Sequence, residues 1–361
     1  MISDQHGWVF LTDVSSLQDP SGAGGSVGPF WPTIHGGDTE SALAVAISAG
    51  SEAPLPGSGA TTRRWEILAT IAAQNLTAAR VTEAHLDALA ILAEAALDAV
   101  SDLADLGVET GSTWGVFAAE GPGVRVEARQ DGPSGAWSLT GVKPWCSLAG
   151  RLSHALITAH TSAGHRRLFA IALQDGTVAA GGGQWVSRGL PQVPSGPIEL
   201  TGTPAIPIGV DEWYLTRPGF AWGGAGVAAC WFGGAVGLGR SLLAAAGRRD
   251  PDQIGMMHLG GVDVTLTGVR AVLATAARQI DDGLADGADG ALMAGRARAV
   301  AAAGAEDVLS RSAHASGPAP LATDEDHAAR VADLQIYVRQ HHAERDLAAL
   351  GRAVLAQGQP W

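Results

Sequence analysis

The sequence predicts an α+β chain of several domains: an N-terminal helical domain, a central antiparallel β-sheet or barrel domain, and a C-terminal four-helix bundle. Three observations predict it. The 361 residues suffice for two or three domains. Apolar residues recur at three-to-four spacing on both sides of a stretch, residues 113–215, that is built from short runs bounded by Gly, Pro or Ser. No helix-length segment interrupts that stretch, so it does not consist of βαβ units. The expected boundaries are residues 1–110, 111–217 and 218–361.

In chain order, residues 1–60 are rich in Gly, Pro and Ser, with one short helix expected over Glu40 to Ala49. Helices are expected over Arg63 to Gln74 and Ala79 to Leu106, where Leu86, Leu89, Leu92 and Val100 fall near one face and Gly107 is a stop signal. Strands follow at Val124 to Ala128 and Trp137 to Gly141, joined by the turn Asp131-Gly-Pro-Ser-Gly135. Further strands are expected at Ala155 to Thr158, Leu168 to Leu173, Ile198 to Leu200 and Trp213 to Leu215. Helices return over Val227 to Gly247, Pro251 to Asp282, Gly290 to Ser316 and Asp324 to Ala356. Gly317-Pro-Ala-Pro320 separates the last two. Four such helices suit an antiparallel bundle.

Composition removes several function classes. With 46% hydrophobic and 16% charged residues the chain is not mostly disordered. A net charge of −13 repels phosphate backbones and speaks against nucleic-acid binding. Of the 23 basic residues only Lys143 is a lysine, and it lacks the glycine context of a nucleotide-binding P-loop. A Schiff-base enzyme would have to use Lys143 itself. Two cysteines, Cys146 and Cys230, give neither zinc spacing nor a disulfide framework. The start Met1-Ile-Ser-Asp-Gln-His6 lacks the features of a signal peptide, which predicts a cytoplasmic protein. Gly219 to Gly239 carries no charge and is long enough to span a membrane, but its eight glycines favour a packed helix preceded by a loop.

Some patterns resemble motifs without their context. Gly24-Gly-Ser-Val-Gly28 fits the serine-hydrolase elbow, yet no strand precedes it and no helix follows. Gly224-Ala-Gly-Val-Ala-Ala229 approximates a dinucleotide fingerprint outside any βαβ unit, so close helix packing is the simpler account. His154, His160 and His165 have uneven spacing and read as surface or turn residues rather than metal ligands. No carboxylate pair is spaced for glycoside chemistry.

The informative segment is Gly141-Val-Lys-Pro-Trp-Cys-Ser147. A strand ends there, and the loop then offers an aromatic plane and, two residues on, a hydroxyl. A flavin needs such a wall beside its ring and a hydrogen-bond partner at its reactive edge. By itself, Trp145 is as well explained as a core anchor. The α–β–α order, this segment, Trp114-Gly-Val-Phe-Ala-Ala-Glu120, His85-Leu-Asp-Ala-Leu89 and the helical tail together resemble the acyl-CoA dehydrogenase family. The resemblance runs from about residue 60 onward. It implies a flavoenzyme with FAD, FMN staying open, lying between the β domain and the bundle. Phe117, Ala118, Trp145, Cys146 and Ser147 would touch the cofactor, and Arg249 (or Arg248) would stand in for the family's bundle arginine.

The sequence departs from the family pattern at several points. Glu120-Gly-Pro-Gly123 is shorter than the family's pyrophosphate loop and lacks its Ser. Arg248-Arg-Asp-Pro-Asp-Gln-Ile-Gly255 replaces the family's Arg-x-x-Phe-Gly, and Ala315-Ser-Gly-Pro318 replaces its Gly-Gly turn. The catalytic Glu is missing; alignment of Asp333-Leu-Gln-Ile-Tyr337 puts His341 at that place, with Glu344 nearby as a second catalytic candidate. A neutral His serves as a general base near pH 7. The resemblance thus implies an oxidoreductase acting on an acyl thioester or related small molecule, in a homo-oligomer. The alternatives are an oxygen-using flavin monooxygenase of the same fold, with a flavin reductase or electron-transfer partner, and a non-catalytic subunit of a hetero-oligomeric dehydrogenase. Arg151, Arg166, Arg167 and Arg188 are further candidates for meeting a nucleotide phosphate.

Overall fold

A computed structural model describes residues 7–12, 38–132, 135–161, 164–181, 185–248 and 251–358. The Gly24–Gly28 motif and Arg249 lie outside the described residues.

The N-terminal helices are α1 (Thr39–Glu52), α2 (Thr61–Gln74), α3 (Leu76–Glu94) and the short α4 (Ala99–Asp102). Asp38 and Asn75 cap α1 and α3 by accepting from the amides of Ser41 and Ala78, which satisfies donors that have no partner within the first helical turn. The single helix expected over residues 79–106 is broken: Ala96 takes φ 57°, and the chain restarts as α4 and a 3-10 turn at Ala104–Leu106. Val100, expected on the core face, is exposed as a result.

The strands are β1 (Trp114–Phe117), β2 (Val126–Gln130), β3 (Trp137–Lys143), β4 (His154–His160), β5 (Arg166–Ala172), β6 (Val178–Ala180) and β7 (Ile198–Ile208). Their order is β1-β4-β2-β3-β7-β5, and β5 pairs back onto β4, so β4, β2, β3, β7 and β5 close into a barrel. The sheet is not purely antiparallel, because β1 and β2 both meet β4 in parallel. β4 is buried almost end to end, as expected of a strand covered on both faces. Gly141 of β3 has φ 131°, and a Cβ there would lie 2.1 Å from the Arg125 carbonyl oxygen; only glycine lets the strands approach so closely.

Trp213–Thr216 is a helical turn, α5, rather than the expected strand. Its Glu212 amide bonds the Arg166 carbonyl, so the chain leaves the sheet edge here. Then come α6 (Pro218–Arg248), α7 (Gln253–Asp281), α8 (Gly287–Ser316), α9 (Ala319–Thr323), α10 (Glu325–Tyr337) and α11 (Glu344–Gln357). α6 starts nine residues earlier than the apolar periodicity predicts, so the Gly219–Gly223 stretch is helical and not a loop. It packs against α2, α7, α8 and α10. At Gly233 a Cβ would strike the backbone of Ala69 in α2, which accounts for the glycine-rich composition of α6. The fingerprint-like Gly224–Ala229 therefore lies inside a packed helix. By length and composition α6 and α7 could each cross a membrane, and 72% of the apolar window of α6 is buried within the protein.

The last predicted helix is also interrupted. α10 tightens into a 3-10 turn at Val338–Gln340, His341 turns to extended geometry, Ala343 takes φ 44°, and α11 begins at Glu344. Neither Gly nor Pro marks this break.

Candidate functional site

The barrel end nearest the helices is organised by Lys143. Its buried ammonium donates to Glu120 Oε1 at 2.8 Å, to the Thr158 carbonyl at 2.9 Å and to Thr158 Oγ1 at 2.8 Å. All three donors are therefore used. Burial lowers the Lys143 pKa, and the bonds to Glu120 act against that shift. Glu120, although partly buried, is held below the usual carboxylate range by Lys143 and His160. An amine so occupied is a clamp between the exits of β1 and β3, not a nucleophile.

Beyond this clamp the chain turns outward. Trp145 has φ 60° and is 63% exposed. Left-handed geometry at a bulky residue costs about 1–2 kcal/mol and persists only where the surroundings dictate it. Here they do: the amides of Cys146 and Leu148 bond the carbonyls of Gly196 and Pro194 at 2.9 and 2.8 Å. The Ser147 hydroxyl meets that of Ser195 at 2.7 Å and accepts from Arg80 Nη2 at 3.2 Å. The indole lines a cavity of about 940 Å³ together with Cys146, Arg151, Trp185, Ser195 and, from α10, Ile336. Cys146 is buried, and burial pushes its thiol up to about 12, so its sulfur is chemically quiet.

A second cavity, about 610 Å³, lies among α3, α6, α8 and α11. Glu83 and Asp87 of α3, Arg217, Arg298 and His341 line it. Its link to the first cavity is a chain of bonds: Arg80 donates to Ser147 on one side and from Nη1 to Glu83 Oε2 at 2.9 Å on the other, and the Tyr337 hydroxyl donates to that same oxygen at 3.3 Å. Tyr337 directly follows Ile336 of the first cavity. The two cavities are thus linked through Ser195, Ser147, Arg80 and Glu83.

The break after α10 brings His341 to this second cavity. Its ring lies edge-on to Trp231 at 6.3 Å, with Nε2 3.9 Å from Asp346. Desolvation lowers its pKa, so the imidazole is neutral near pH 7 and able to accept a proton. Arg298 holds the break by donating to the carbonyls of Gly224 and Gln340 at 2.8 and 2.7 Å.

The predicted residues fare differently. Trp145 and Cys146 line the first cavity, and Ser147 stands behind it through Ser195. Phe117 is buried in the core and, like Ala118, lines neither cavity; its ring packs beside Gly115 and Leu152. Glu344 is exposed at the start of α11 and lines neither cavity, because the break directs it to solvent. Of the four arginines considered for phosphate, Arg151 lines the first cavity. Arg167 is engaged with the Gly209 carbonyl, and Arg188 lines a separate groove beside Asp333. His154 is not a surface residue: it is buried, stacked on Trp114 and bonded to the Leu106 carbonyl. Among the described residues no group of three or more His, Cys, Asp and Glu is arranged to hold a metal ion.

Sequence reasoning missed Arg80, Glu83 and Asp87. The signal was there: their spacing of three and then four puts them along one stripe of a helix whose other positions are mostly apolar.

The sequence matches no protein-family model and no curated protein. Solved structures do match. A KijD3 in complex with FMN and dTDP-3-amino-2,3,6-trideoxy-4-keto-3-methyl-D-glucose superposes with a TM-score of 0.73 at 19% identity, covering 90% of this chain and 88% of that one. TdsC from Paenibacillus sp. A11-2 with FMN and indole gives 0.73 at 16% identity, over 90% and 92%. Butyryl-CoA dehydrogenase from Megasphaera elsdenii gives 0.70 at 15%, over 88% and 90%. The chain therefore has the acyl-CoA dehydrogenase-like fold. Likeness at this identity defines the architecture, and function has to be argued from the site.

Proposed function

We propose that the protein is a flavin-dependent oxidoreductase acting on a small molecule held in the cavity among α3, α6, α8 and α11. The observation that carries this reading is Trp145: a large indole, held at left-handed geometry and exposed to a cavity between the sheet and α10. An aromatic wall of this kind, beside a space within the usual 300–1,000 Å³ of cofactor sites, suits a planar heterocycle.

The donor set fits a flavin. Trp145 would cover one ring face, and the Ser147–Ser195 hydroxyl pair, backed by Arg80, would stand near its edge. Arg151, ion-paired with Glu40 and the cation lining this cavity among the described residues, would meet a phosphate in exchange for that carboxylate. One such cation suits the single phosphate of FMN, and the missing pyrophosphate Ser points the same way; FAD remains the alternative. A bound flavin supplies two-electron transfer. The chain's own residues would do the rest: Trp145 would orient the ring, whose reactive edge would have to meet the substrate directly on the side of Ile336 and Tyr337, where Tyr337 bonds Glu83 of the second cavity. There, neutral His341 can take a proton from substrate at a ring nitrogen. In KijD3 and TdsC, FMN is the flavin bound.

The oxygen-using alternative is favoured by one observation. His341 stands where the resemblance expects a catalytic Glu, and the nearby Glu344 is exposed. TdsC is described as a dibenzothiophene monooxygenase. Its test is oxygen consumption that depends on reduced flavin. An oligomer is supported by α7, which exposes Ile254, Met256, Met257 and Val264.

Titration with FMN and with FAD, followed by anaerobic reduction, tests the main reading. The expected result is saturable binding of one flavin per chain and bleaching of its visible absorption. A protein that takes up neither flavin contradicts the proposal.

A further inference from the structure

The second cavity has an unusual balance of polar groups. Asp87 lines it and makes no side-chain hydrogen bond or ion pair among the described residues, whereas Glu83 is engaged at Oε2 by Arg80 and Tyr337. Desolvation raises the Asp87 pKa although Arg217 and Arg64 oppose the shift. The lining arginines are turned largely to other partners, although Arg217 Nε has no hydrogen-bond partner of its own. Arg217 is paired with Glu94, and Arg298 is used on two backbone carbonyls. The rest of the wall is largely apolar, including Phe220, Val227, Ala294 and Leu350. A carboxylate in such surroundings is costly unless something supplies it with donors or a positive charge.

We propose that this cavity binds a small amine: its ammonium group is held by Asp87, with Glu83 Oε1 as a second acceptor, and its apolar body lies between α6, α8 and α11. The proposal deepens the oxidoreductase reading, on which it rests for the cavity being the substrate site. It favours an amine over an acyl thioester, whose neutral thioester group offers Asp87 neither a donor nor a positive charge. Gly223 belongs to the site as well. A Cβ there would lie 2.5 Å from Asp87 Oδ1, so glycine at this position leaves the carboxylate room to face the cavity.

Calorimetric titration of the purified full-length protein, with and without FMN, tests this. The probes are 2-phenylethylamine, its neutral N-acetyl derivative, and 3-phenylpropionate. The amine is expected to bind at least tenfold more tightly than either of the others. Asp87→Asn should erase that preference, and Gly223→Ala should weaken it, with the thermal midpoint confirming that each variant is folded. Both variants should keep wild-type FMN affinity, because neither residue lines the first cavity. Equal binding of the three probes, a preference for the carboxylate, or an unaltered preference in folded Asp87→Asn overturns the proposal. Amine selectivity without flavin binding would sink the oxidoreductase reading alone, and flavin binding without amine selectivity would sink this inference alone.

Discussion

The loop after β3 and the break after α10 both present side chains to a cavity, and they are built in opposite ways. Residues 143–151 are tied at nearly every step: three bonds to the Lys143 ammonium, two backbone bonds to residues 194–196, and a hydroxyl pair. Residues 338–346 hang on fewer contacts. Arg298 grips the Gln340 carbonyl, Asp346 accepts from the His342 amide, and α11 beyond them buries no residue. The difference teaches how labour is divided. A ring-binding wall has to be fixed before the cofactor arrives, since preorganisation is what makes binding favourable. A segment carrying a proton acceptor beside a substrate cavity can tolerate looser restraint.

The contrast can be broken most severely at Lys143. Lys143→Met removes the clamp and leaves Glu120 and Thr158 without their partner. Breaking a buried pair costs about 3–5 kcal/mol, and because Glu120 can turn toward solvent the lower end is expected. Denaturant unfolding should show that loss, together with impaired flavin binding. A variant as stable as wild type would mean that the clamp does not organise the loop.

Acid separates the two regions next. His85 of α3 is buried, its pKa lowered to about 4 by desolvation and by Arg64, and desolvation lowers that of His341 as well. Their folded pKa values lie below the unfolded ones, so the unfolded chain binds more protons. The associated stability is complete above about pH 6.5 and is lost as pH falls toward 4, by about 3 kcal/mol for His85 alone. Glu120 on the sheet side shifts the other way for a carboxylate, held below its usual range by Lys143 and His160. Urea midpoints across pH 4–7 should therefore fall steeply in wild type and less in His85→Gln. Parallel pH profiles for the two proteins would count against this assignment.

The smallest effect is expected at Ala343. Its φ of 44° suits glycine better than alanine. Ala343→Gly should raise stability by no more than about 1 kcal/mol, since the relief of strain is partly offset by the greater freedom of an unfolded glycine. A destabilised variant would show that the break is held by contacts of the Ala343 side chain.

The same comparison explains what could be read from the sequence. The strand-loop Gly141–Ser147 was legible because its chemistry is local: a glycine, a lysine, an indole and a hydroxyl in one short run. The helix–strand–helix order along the chain was legible from periodicity for the same reason. The break at 338–343 was not, because no Gly or Pro encodes it; Arg298, Asp346 and the packing of His341 against Trp231 impose it from other elements. The interruption at Ala96 is alike in lacking a local signal. Phe117 is buried, and the sequence did not reveal this because a strand alternates its faces and register alone decides which side chain reaches the core. Asp87 and Glu83 went unnoticed because nothing in a helical charge stripe says whether it faces water or a cavity.

The central claim is that Trp145 forms the wall of a flavin site, and one titration tests it directly. FMN is added to wild type and to Trp145→Leu, and binding is followed by the quenching of flavin fluorescence. The account predicts saturable quenching in wild type and an affinity reduced by about tenfold or more in the variant, the loss of an aromatic stack. Indistinguishable affinities, with both proteins folded, would contradict it.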